Sequence, residues 1–307
     1  MRVLSTDYPR PLNLLALGAG GHLAAACGVF PGGGPVEWWN LAGDESRDTY
    51  QVGGWGPRSL GFAGPYLLIG EQHRLSILDP DTGEPQPGPR VPPGHTELAV
   101  IPGGNRFFTT HSVGAYSSLV WWEMAGPRLR ETWTIALGSE LGAGSPALAP
   151  AADRAAFRAL HYPGRDRPRQ TIALLDPAAR RVLVEIPTDA AEPVQQLAFT
   201  ADGSKLLART DDRVVRVFDA STGEPAGELV HKGRPFVTGL AVHPGGQAIA
   251  TSRNDGTAWF WDPVTLREIK SFDWKLGKLV SVAFSPDGTL AAAGTEDGQV
   301  IVWDVDL

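Results

Sequence analysis

A pair made of a bulky hydrophobic residue and an acid or amide recurs seven times along this chain of 307 residues. Successive pairs lie 39, 44, 53, 43, 43 and 42 residues apart. A repeat of about forty residues with such a pair is typical of small antiparallel sheets arranged radially around an axis. The pairs are Trp39-Asn40, Leu78-Asp79, Trp122-Glu123, Leu175-Asp176, Phe218-Asp219, Trp261-Asp262 and Trp303-Asp304.

Each repeat unit contains signals for four strands, which we name a, b, c and d in chain order. Strand a is a short alternating run such as Val282-Ala283-Phe284, and a turn such as Pro286-Asp287-Gly288 follows it. Asp-Gly and Gly-Gly turns favour hairpins because glycine adopts positive φ without a steric penalty. A second turn separates strand b from strand c, which ends on the bulky–acid pair, and strand d completes the unit. The 37 glycines and 26 prolines agree with a chain of many turns and few long helices.

The last unit lacks strand d, while residues 2–8 stand before the first unit as an unpaired strand. Pairing of this segment beside residues 300–303 would complete the last blade and leave no unfilled sheet edge. The sequence therefore predicts one all-β domain over residues 1–307, a seven-bladed β-propeller of four-stranded antiparallel blades that the N-terminal strand closes. Propellers with six or eight blades, or of another seven-bladed type, are the alternatives.

The strand order, the Trp-Asp pairs and the near-identical turns at residues 79–85 and 219–225 resemble the WD-repeat (WD40) β-propeller family. The resemblance is strongest in units five to seven and weakest in units three and four. It implies a buried tetrad of His, Ser or Thr, Asp and Trp in each regular blade. The Gly-His that precedes strand a in this family is missing at the usual spacing, so we expect no complete tetrad and blades held mainly by apolar strands. Unit seven matches this tetrad at Thr295, Asp297 and Trp303. Unit five matches it at Thr210 and Asp212 but has Phe218 in place of Trp, and unit six matches it at Asp255 and Trp261 but has Arg253 where the hydroxyl belongs.

Charge and cysteine content narrow the range of partners and compartments. A net charge of −7 argues against a nucleic-acid binder and against adhesion to an anionic membrane. Cys27 is the single cysteine, which fits a reducing compartment, and we expect a cytoplasmic monomer. Residues 12–30 lack charged side chains and resemble a lipoprotein leader, but residues 23–27 align with residues 290–294 of the last unit. We therefore expect this segment to belong to the first blade.

Motifs for catalysis, metals and cofactors are weak. Gly18-Ala19-Gly20-Gly21 fits a hairpin turn better than a dinucleotide loop. The turn at Asp79 begins like a calcium loop, but Arg90 stands where the bidentate Glu belongs. The seven histidines have no metal-ligand spacing, and we expect them in loops and turns. Strand a offers mainly Leu, Ala, Val and Phe to the central channel, so we predict no catalytic residue, no metal and no cofactor.

The resemblance and the lack of catalytic motifs predict a non-catalytic scaffold for protein–protein interaction. The alternatives are a propeller enzyme of the hydrolase or lactonase type, and a sensor of small ligands or glycans. The b–c loops of units one, three and four are enlarged and rich in aromatic residues and arginine, which are typical interface anchors. Their arginines suit an acidic segment of a protein partner, although such loops are also where neutral insertions are tolerated. The predicted binding residues are Phe30, Tyr116, His161, Tyr162, Arg165, Arg167 and Arg169.

Two tandem tryptophan pairs, Trp38-Trp39 and Trp121-Trp122, occupy strand c of units one and three. Neighbouring residues of a strand point to opposite faces of its sheet. We expect aromatic packing between blades, and the second indole of each pair is a candidate for a partner-binding position at the surface.

Overall fold

The computed structural model describes residues 1–28, 32–43, 47–113, 116–138, 141–162, 169–188, 193–210 and 213–306. In these ranges, 28 β-strands form seven four-stranded antiparallel sheets, and one 3₁₀ turn spans Ala19–Gly21. Each sheet is a blade, and the first strands of neighbouring blades contact one another around a central channel. The predicted seven-bladed propeller is confirmed, and the described chain excludes the six- and eight-bladed alternatives.

The first three blades follow the predicted order of strands a to d. Blade 1 contains β2 (Leu14–Leu17), β3 (His22–Ala26), β4 (Gly34–Asn40) and β5 (Arg47–Val52). Blade 2 contains β6 (Ser59–Ala63), β7 (Tyr66–Gly70), β8 (Leu75–Leu78) and β9 (Pro85–Gln86). Blade 3 has the longest strands and contains β10 (His95–Val100), β11 (Arg106–Val113), β12 (Tyr116–Ala125) and β13 (Arg128–Gly138).

The remaining blades repeat this order, and the last one takes its outer strand from the N-terminus. Blade 4 contains β14 (Leu141–Leu148), β15 (Ala155–His161), β16 (Arg169–Asp176) and β17 (Arg181–Pro187). Blade 5 contains β18 (Gln196–Phe199), β19 (Lys205–Arg209), β20 (Val214–Asp219) and β21 (Pro225–Val230). Blade 6 contains β22 (Val237–Val242), β23 (Ile249–Arg253), β24 (Thr257–Trp261) and β25 (Glu268–Asp273). Blade 7 contains β26 (Leu279–Phe284), β27 (Leu290–Thr295), β28 (Gln299–Asp304) and β1 (Arg2–Ser5).

The N-terminal strand closes the ring as predicted. β1 pairs antiparallel with β28, with Arg2 opposite Val302 and Ser5 opposite Gln299. Leu4 enters the hydrophobic cluster between blades 7 and 1, where it joins Leu23 and Val300. The closing strand is shorter than residues 2–8, because the chain leaves β28 after Ser5 and turns towards blade 1.

The core is divided into seven hydrophobic clusters, and each lies between two neighbouring blades. Trp38 faces blade 2 and Trp39 faces blade 7, while Trp121 faces blade 4 and Trp122 faces blade 2. All four side chains are buried. The expected packing of indoles between blades is confirmed, and it extends to both members of each pair because neighbouring blades cover both faces of an inner strand.

The recurrent acid of the bulky–acid pair has a structural role in the c–d turn. Asp219 Oδ1 accepts hydrogen bonds from the amides of Ser221 and Thr222 at 2.8 and 2.9 Å. The Ser221 hydroxyl and these amides lower the pKa of Asp219 far below its usual range. Asn40 caps its own turn in the same way, with the amides of Ala42 and Gly43. Asp79, Asp176 and Asp262 accept amide hydrogen bonds in the same way, so the repeat is visible in the sequence because these residues satisfy backbone donors at the end of strand c.

Candidate functional site

The two ends of the propeller axis carry different connections. In an antiparallel blade, the b–c loop and the d–a connection to the next blade lie at one end, while the a–b and c–d turns lie at the other. We call these ends the loop face and the turn face. The predicted binding residues that lie in the described part of the chain belong to the loop face.

Four of the seven predicted binding residues lie in the described chain, and Phe30, Arg165 and Arg167 lie outside it. Tyr116 begins β12 and is 68% exposed. Arg169 begins β16, is exposed, and stands opposite His161 in the ladder between β15 and β16. Blades 3 and 4 meet beside Tyr116, where the Ala143 amide donates a 3.0 Å hydrogen bond to the Ser117 hydroxyl. The structure thus places Tyr116 and Arg169 on the same face and in neighbouring blades.

His161 and Tyr162 are bound to their own blade more closely than the sequence suggested. His161 Nε2 lies 3.0 Å from Thr171 Oγ1 and 3.2 Å from Glu185 Oε2. Tyr162 is half-buried, and its ring lies over Gly142, where an added Cβ would be 3.2 Å from Cε2. These two side chains support the base of the blade 4 loop.

Exposed aromatic side chains distinguish the loop face from the rest of the described surface. Tyr8, Trp55, Tyr116 and Phe236 are 38%, 48%, 68% and 50% exposed, and every other described Phe, Tyr or Trp is more deeply buried. All four lie in d–a connections or at the b–c loop of blade 3. Trp55 and Phe236 were not among the predicted binding residues, although each stands beside glycine or proline in a segment between strands.

Polar side chains near the start of strand a make hydrogen bonds across six of the seven blade junctions in the described chain, and we call this partial circle around the loop-face end of the channel the ring. Ser281 Oγ donates to the Leu12 carbonyl of the next blade at 2.5 Å, and Thr238 Oγ1 donates to the Leu279 carbonyl at 2.8 Å. Gln196 makes two such bonds to the backbone of Leu240, at 2.7 and 3.1 Å. Each bond runs from one blade to the following one.

Blades 2, 3 and 4 continue this ring. Ser59 Oγ accepts a 3.1 Å hydrogen bond from the Leu98 amide. Glu97 Oε2 accepts one from the Ser145 amide at 2.5 Å, and Ser145 Oγ donates to the Gln195 carbonyl at 3.2 Å. The expectation that strand a presents mainly apolar residues to the channel was wrong at this end. Blade-to-blade hydrogen bonding was invisible in the sequence because its partners lie about forty or more residues apart.

The ring surrounds a cavity of about 260 Å³ at the loop face, and all seven blades line it. Glu97 is its one acidic lining residue and Arg209 its one basic lining residue among the described residues. At the other end of the channel, blades 3 to 6 line a more apolar cavity of about 220 Å³ that includes Phe199 and four prolines. The channel is therefore polar towards the loop face and apolar towards the turn face.

Two blades contain a hydrogen-bonded Trp–Thr–His triad. In blade 6, Trp261 Nε1 donates to Thr251 Oγ1 at 3.0 Å, and Thr251 Oγ1 lies 3.2 Å from His231 Nε2. In blade 3, Trp122 Nε1 donates to Thr109 Oγ1 at 2.8 Å, and His111 Nε2 lies 2.7 Å from the same oxygen. Burial lowers the pKa of His231 and of His111 to about 4, so both are neutral at pH 7.

These triads correct the tetrad residues that the family resemblance implied. The hydroxyl of blade 6 is Thr251, two residues before the Arg253 position, and its histidine is His231 without a preceding glycine. Thr295 of blade 7 accepts a hydrogen bond from the Gln299 amide instead. Asp212 lies outside the described residues.

His73, His231 and His243 lie between strands as expected, but the other four histidines do not. His22, His95, His111 and His161 lie in strands β3, β10, β11 and β15. His22 Nε2 lies 3.1 Å from Asp81 Oδ1, which joins blade 1 to the c–d turn of blade 2. In the described part of the chain, no three His, Cys, Asp or Glu side chains form a group suited to a metal ion. The same residues contain no helix of the length and apolarity that a membrane span needs.

Comparisons with known proteins agree with this architecture. A family model described as "WD domain, G-beta repeat" matches residues 223–262 and 267–304. The chain is 26% identical over 112 residues to a protein LST8 homolog of Drosophila melanogaster, a match that covers 36% of each chain. It is 27% identical over 128 residues to a guanine nucleotide-binding protein subunit beta of Oryza sativa subsp. japonica, over 39% of this chain and 34% of the relative. The matches thus span about a third of these relatives' own length.

Solved structures resemble the whole chain. The β-propeller domain of Myceliophteria thermophila Cps50 (Swd1) superposes with a TM-score of 0.73 at 16% identity, covering 99% of this chain and 100% of that domain. A chain of a mitotic checkpoint complex superposes with a TM-score of 0.74 at 15% identity, covering 99% of this chain and 91% of its own. At these identities the likeness concerns the fold.

Proposed function

We propose that this chain, a divergent seven-bladed propeller that resembles the WD-repeat family, is a non-catalytic scaffold that binds a protein partner on its loop face. The observation that carries the proposal is the confinement of Tyr8, Trp55, Tyr116 and Phe236 to that face. Large aromatic side chains are costly to leave in water and are enriched among the residues that dominate binding energy. The names of a G-protein β subunit and of a mitotic checkpoint complex among the similar proteins agree with a role in assemblies.

The charges of the two faces favour an acidic partner segment. The acids of six bulky–acid pairs lie on the turn face, beside further acids such as Asp81 and Glu84. On the loop face, exposed Lys232 and Arg234 adjoin Phe236, and exposed Arg169 lies in the blade beside Tyr116. An acidic segment would be repelled by the turn face and attracted to these cations. We place the protein in the cytoplasm, and we do not expect it to bind nucleic acid because its net charge is −7.

The binding proposal is tested by recovering partners from a lysate of the source organism with immobilised wild-type protein and with variants. A triple variant, Trp55→Ala, Tyr116→Ala and Phe236→Ala, should weaken recovery of a stoichiometric partner by about tenfold or more. Its thermal stability should change little, because exposed side chains contribute little to the core. The matched control is Val264→Ala, which changes a residue 79% exposed in the c–d turn of blade 6. Loss of the partner with the control and not with the triple variant would place the binding surface on the turn face.

An enzymatic role makes a different prediction. Glu97 is the one described carboxylate that lines the channel mouth, and the Ser145 amide occupies one of its oxygens. Hydrolases of this kind depend on converging acids, histidines or a metal. Turnover of a test ester or lactone by purified protein, abolished by Glu97→Gln, would overturn the scaffold proposal.

The sensor alternative has one specific observation in its favour, the polar cavity of about 260 Å³ at the channel mouth. Its hydroxyl and amide groups suit a small polar ligand. Thermal-shift screening against sugars and small metabolites tests it. A ligand that stabilises the wild type and not Glu97→Gln would support the sensor, while no shift across the panel would count against it.

A further inference from the structure

The outer strand of blade 3 differs from every other outer strand in the described chain. β13 (Arg128–Gly138) has 11 residues, whereas the other six outer strands have two to seven. It is the last strand in the sheet order β10-β11-β12-β13, so no strand covers its outer edge. Such an edge presents unpaired backbone N–H and C=O groups that another strand can join.

Charges and prolines protect the other outer edges but not the second half of β13. A charged residue or a proline on an outer strand discourages the addition of a further strand. In β13, Arg128, Arg130 and Glu131 come first, and residues 132–137 that follow contain no charge and no proline. The protecting residues elsewhere include Arg2 in β1, Asp48 in β5, Pro85 in β9, Glu185 in β17, Glu228 in β21 and Lys270 in β25.

An aromatic ladder across blade 3 stops at this edge. Phe108 stacks on Trp121 with ring centroids 5.9 Å apart, and Trp121 stacks on Trp133 at 5.4 Å. Trp133, Ile135 and Leu137 are partly buried against the cluster between blades 3 and 4. One side of β13 is therefore apolar up to the edge, and an added strand with apolar residues in alternate positions would extend the ladder.

We propose that residues 133–137 of β13 pair antiparallel with the same residues of a second copy of this chain. A two-fold axis at Ile135 places Trp133 opposite the second copy's Leu137, and Ile135 opposite its counterpart. On the other side of the sheet, Thr134 stands opposite Ala136. Every cross-strand pair in this register is uncharged, and all pairs on the blade 4 side are apolar. The occupant is thus a strand that this chain itself supplies.

The interface is small, so the association is weak and reversible. Pairing of one strand buries less than about 1,200 Å² in total, the range of transient contacts. Each copy also carries a net charge of −7, and salt at about 0.15 M reduces the repulsion because the Debye length is then about 8 Å. We expect dimers at about 10–100 µM protein. This proposal opposes the monomer expected from the sequence, and it does not depend on partner binding at the loop face.

Sedimentation equilibrium of the full chain over this concentration range tests the dimer. Thr134→Lys with Ala136→Lys places like charges opposite each other across the axis and should weaken dimerisation about tenfold or more. The matched control, Thr49→Lys with Gln51→Lys, adds the same charges at the same spacing to exposed positions of β5. A wild type that stays monomeric throughout, or a control that weakens the dimer equally, overturns the proposal. A monomeric wild type would mean that any strand that pairs with this edge comes from another protein.

A cysteine at the two-fold axis tests the register. Ile135→Cys in a Cys27→Ser background should form an intermolecular disulfide under mild oxidation, because cross-strand Cβ atoms lie about 4.5–5.5 Å apart. Thr49→Cys in the same background should not cross-link. A dimer that fails to cross-link through position 135 overturns the pairing proposed here.

Discussion

Blades 6 and 7 are both matched by the WD-repeat model, yet they hold their tryptophans by different means. In blade 6, Trp261 donates a 3.0 Å hydrogen bond to Thr251, whose hydroxyl lies 3.2 Å from His231. In blade 7, Trp303 packs against a second indole, that of Trp274, with ring centroids 4.7 Å apart. One tryptophan is held by a polar triad and the other by aromatic contact.

The residue type at one position of strand b explains the difference, because the register between strands b and c is the same in both blades. Ile249 stands opposite Trp261 in blade 6, and the hydroxyl comes from Thr251, two residues further along strand b. In blade 7, Ala291 stands opposite Trp303, so that the corresponding residue is Ala293. A methyl group cannot accept the indole hydrogen bond.

The residue at the position of the histidine also differs between the two blades, together with the residue at the position of the hydroxyl. His231 follows β21 directly, and Trp274 follows β25 directly. A larger ring therefore accompanies the smaller alanine, and the space beside the tryptophan is filled in both blades. A blade therefore needs a side chain that fills the space beside its tryptophan, whereas hydrogen bonds within that space are present in blade 6 and absent from the described contacts of blade 7.

The two blades also differ in the origin of strand d. Blade 6 takes β25 from its own repeat, whereas blade 7 takes β1 from the other end of the chain. Blade 7 alone is therefore completed by the closure of the ring in the described chain.

The most widespread effect should come from breaking that closure, because it combines a lost strand, an exposed sheet edge and a lost core residue. Deletion of residues 2–8 removes β1, uncovers the edge of β28, and removes Leu4 from the cluster between blades 7 and 1. We expect a loss of unfolding free energy of about 3 kcal/mol or more, together with aggregation. Urea unfolding and light scattering measure both. Val3→Ala, at a position 41% exposed on the same strand, is the control. A truncated chain that unfolds like the full chain would show that closure contributes nothing.

Replacing each tryptophan singly should distinguish the contribution of the polar triad to stability from that of the aromatic contact. Trp303→Ala leaves a cavity and should cost about 3–5 kcal/mol of unfolding free energy. Trp261→Ala leaves a similar cavity and also deprives the buried Thr251 hydroxyl of its indole donor, which adds about 1–3 kcal/mol. Urea unfolding of both variants gives the difference. If Trp261→Ala loses no more unfolding free energy than Trp303→Ala, the hydrogen bonds of the triad add nothing to the stability that packing provides.

Acid should destabilise blade 6 through His231. Its pKa is lowered to about 4, first by burial and then by Arg253, while nearby Asp255 acts in the opposite direction. The unfolded chain binds this proton near pH 6.5, so stability is complete above that pH and decreases as pH falls towards 4. The loss approaches about 3 kcal/mol at pH 4 for this one group.

Unfolding free energies at several pH values between 4 and 7 check this prediction. His231→Gln should make the pH dependence shallower, and the remaining part should come largely from His111. A slope that His231→Gln does not alter would refute the assignment.

The smallest difference in unfolding free energy should appear between variants of two threonines. Thr251→Val leaves the indole of Trp261 and the imidazole of His231 without their shared partner and should cost about 1–3 kcal/mol. Thr295→Val in blade 7 loses a hydrogen bond from the Gln299 amide and should cost about 0.5–1.5 kcal/mol. Thermal and urea unfolding compare the pair. The reverse order would restore Thr295 to the role that the family resemblance implied.

The candidate surface was predictable where its signal is local. Enlarged loops identified Tyr116 and Arg169, and the structure places both as exposed side chains on one face. Trp55 and Phe236 were not predicted as binding residues because they stand in d–a connections, whereas the enlarged segments that indicated a binding surface are b–c loops. An aromatic residue between glycines and prolines, as in Gly54-Trp55-Gly56-Pro57, is the signal that could have identified one of them.

The sequence by itself determined the number of blades, the strand order and the closing strand, because the bulky–acid pairs and their turns act within a few residues. Asp219 caps the turn that follows it, and the corresponding residues of units one, two, four and six do the same. The tertiary structure alone decided which hydroxyl meets which tryptophan, and which strand-a side chains join the ring around the channel. Ser281 and Leu12 are separated by 269 positions, and their hydrogen bond exists because the ring closes. Such pairings depend on register between strands and on the convergence of distant segments, which no local pattern encodes.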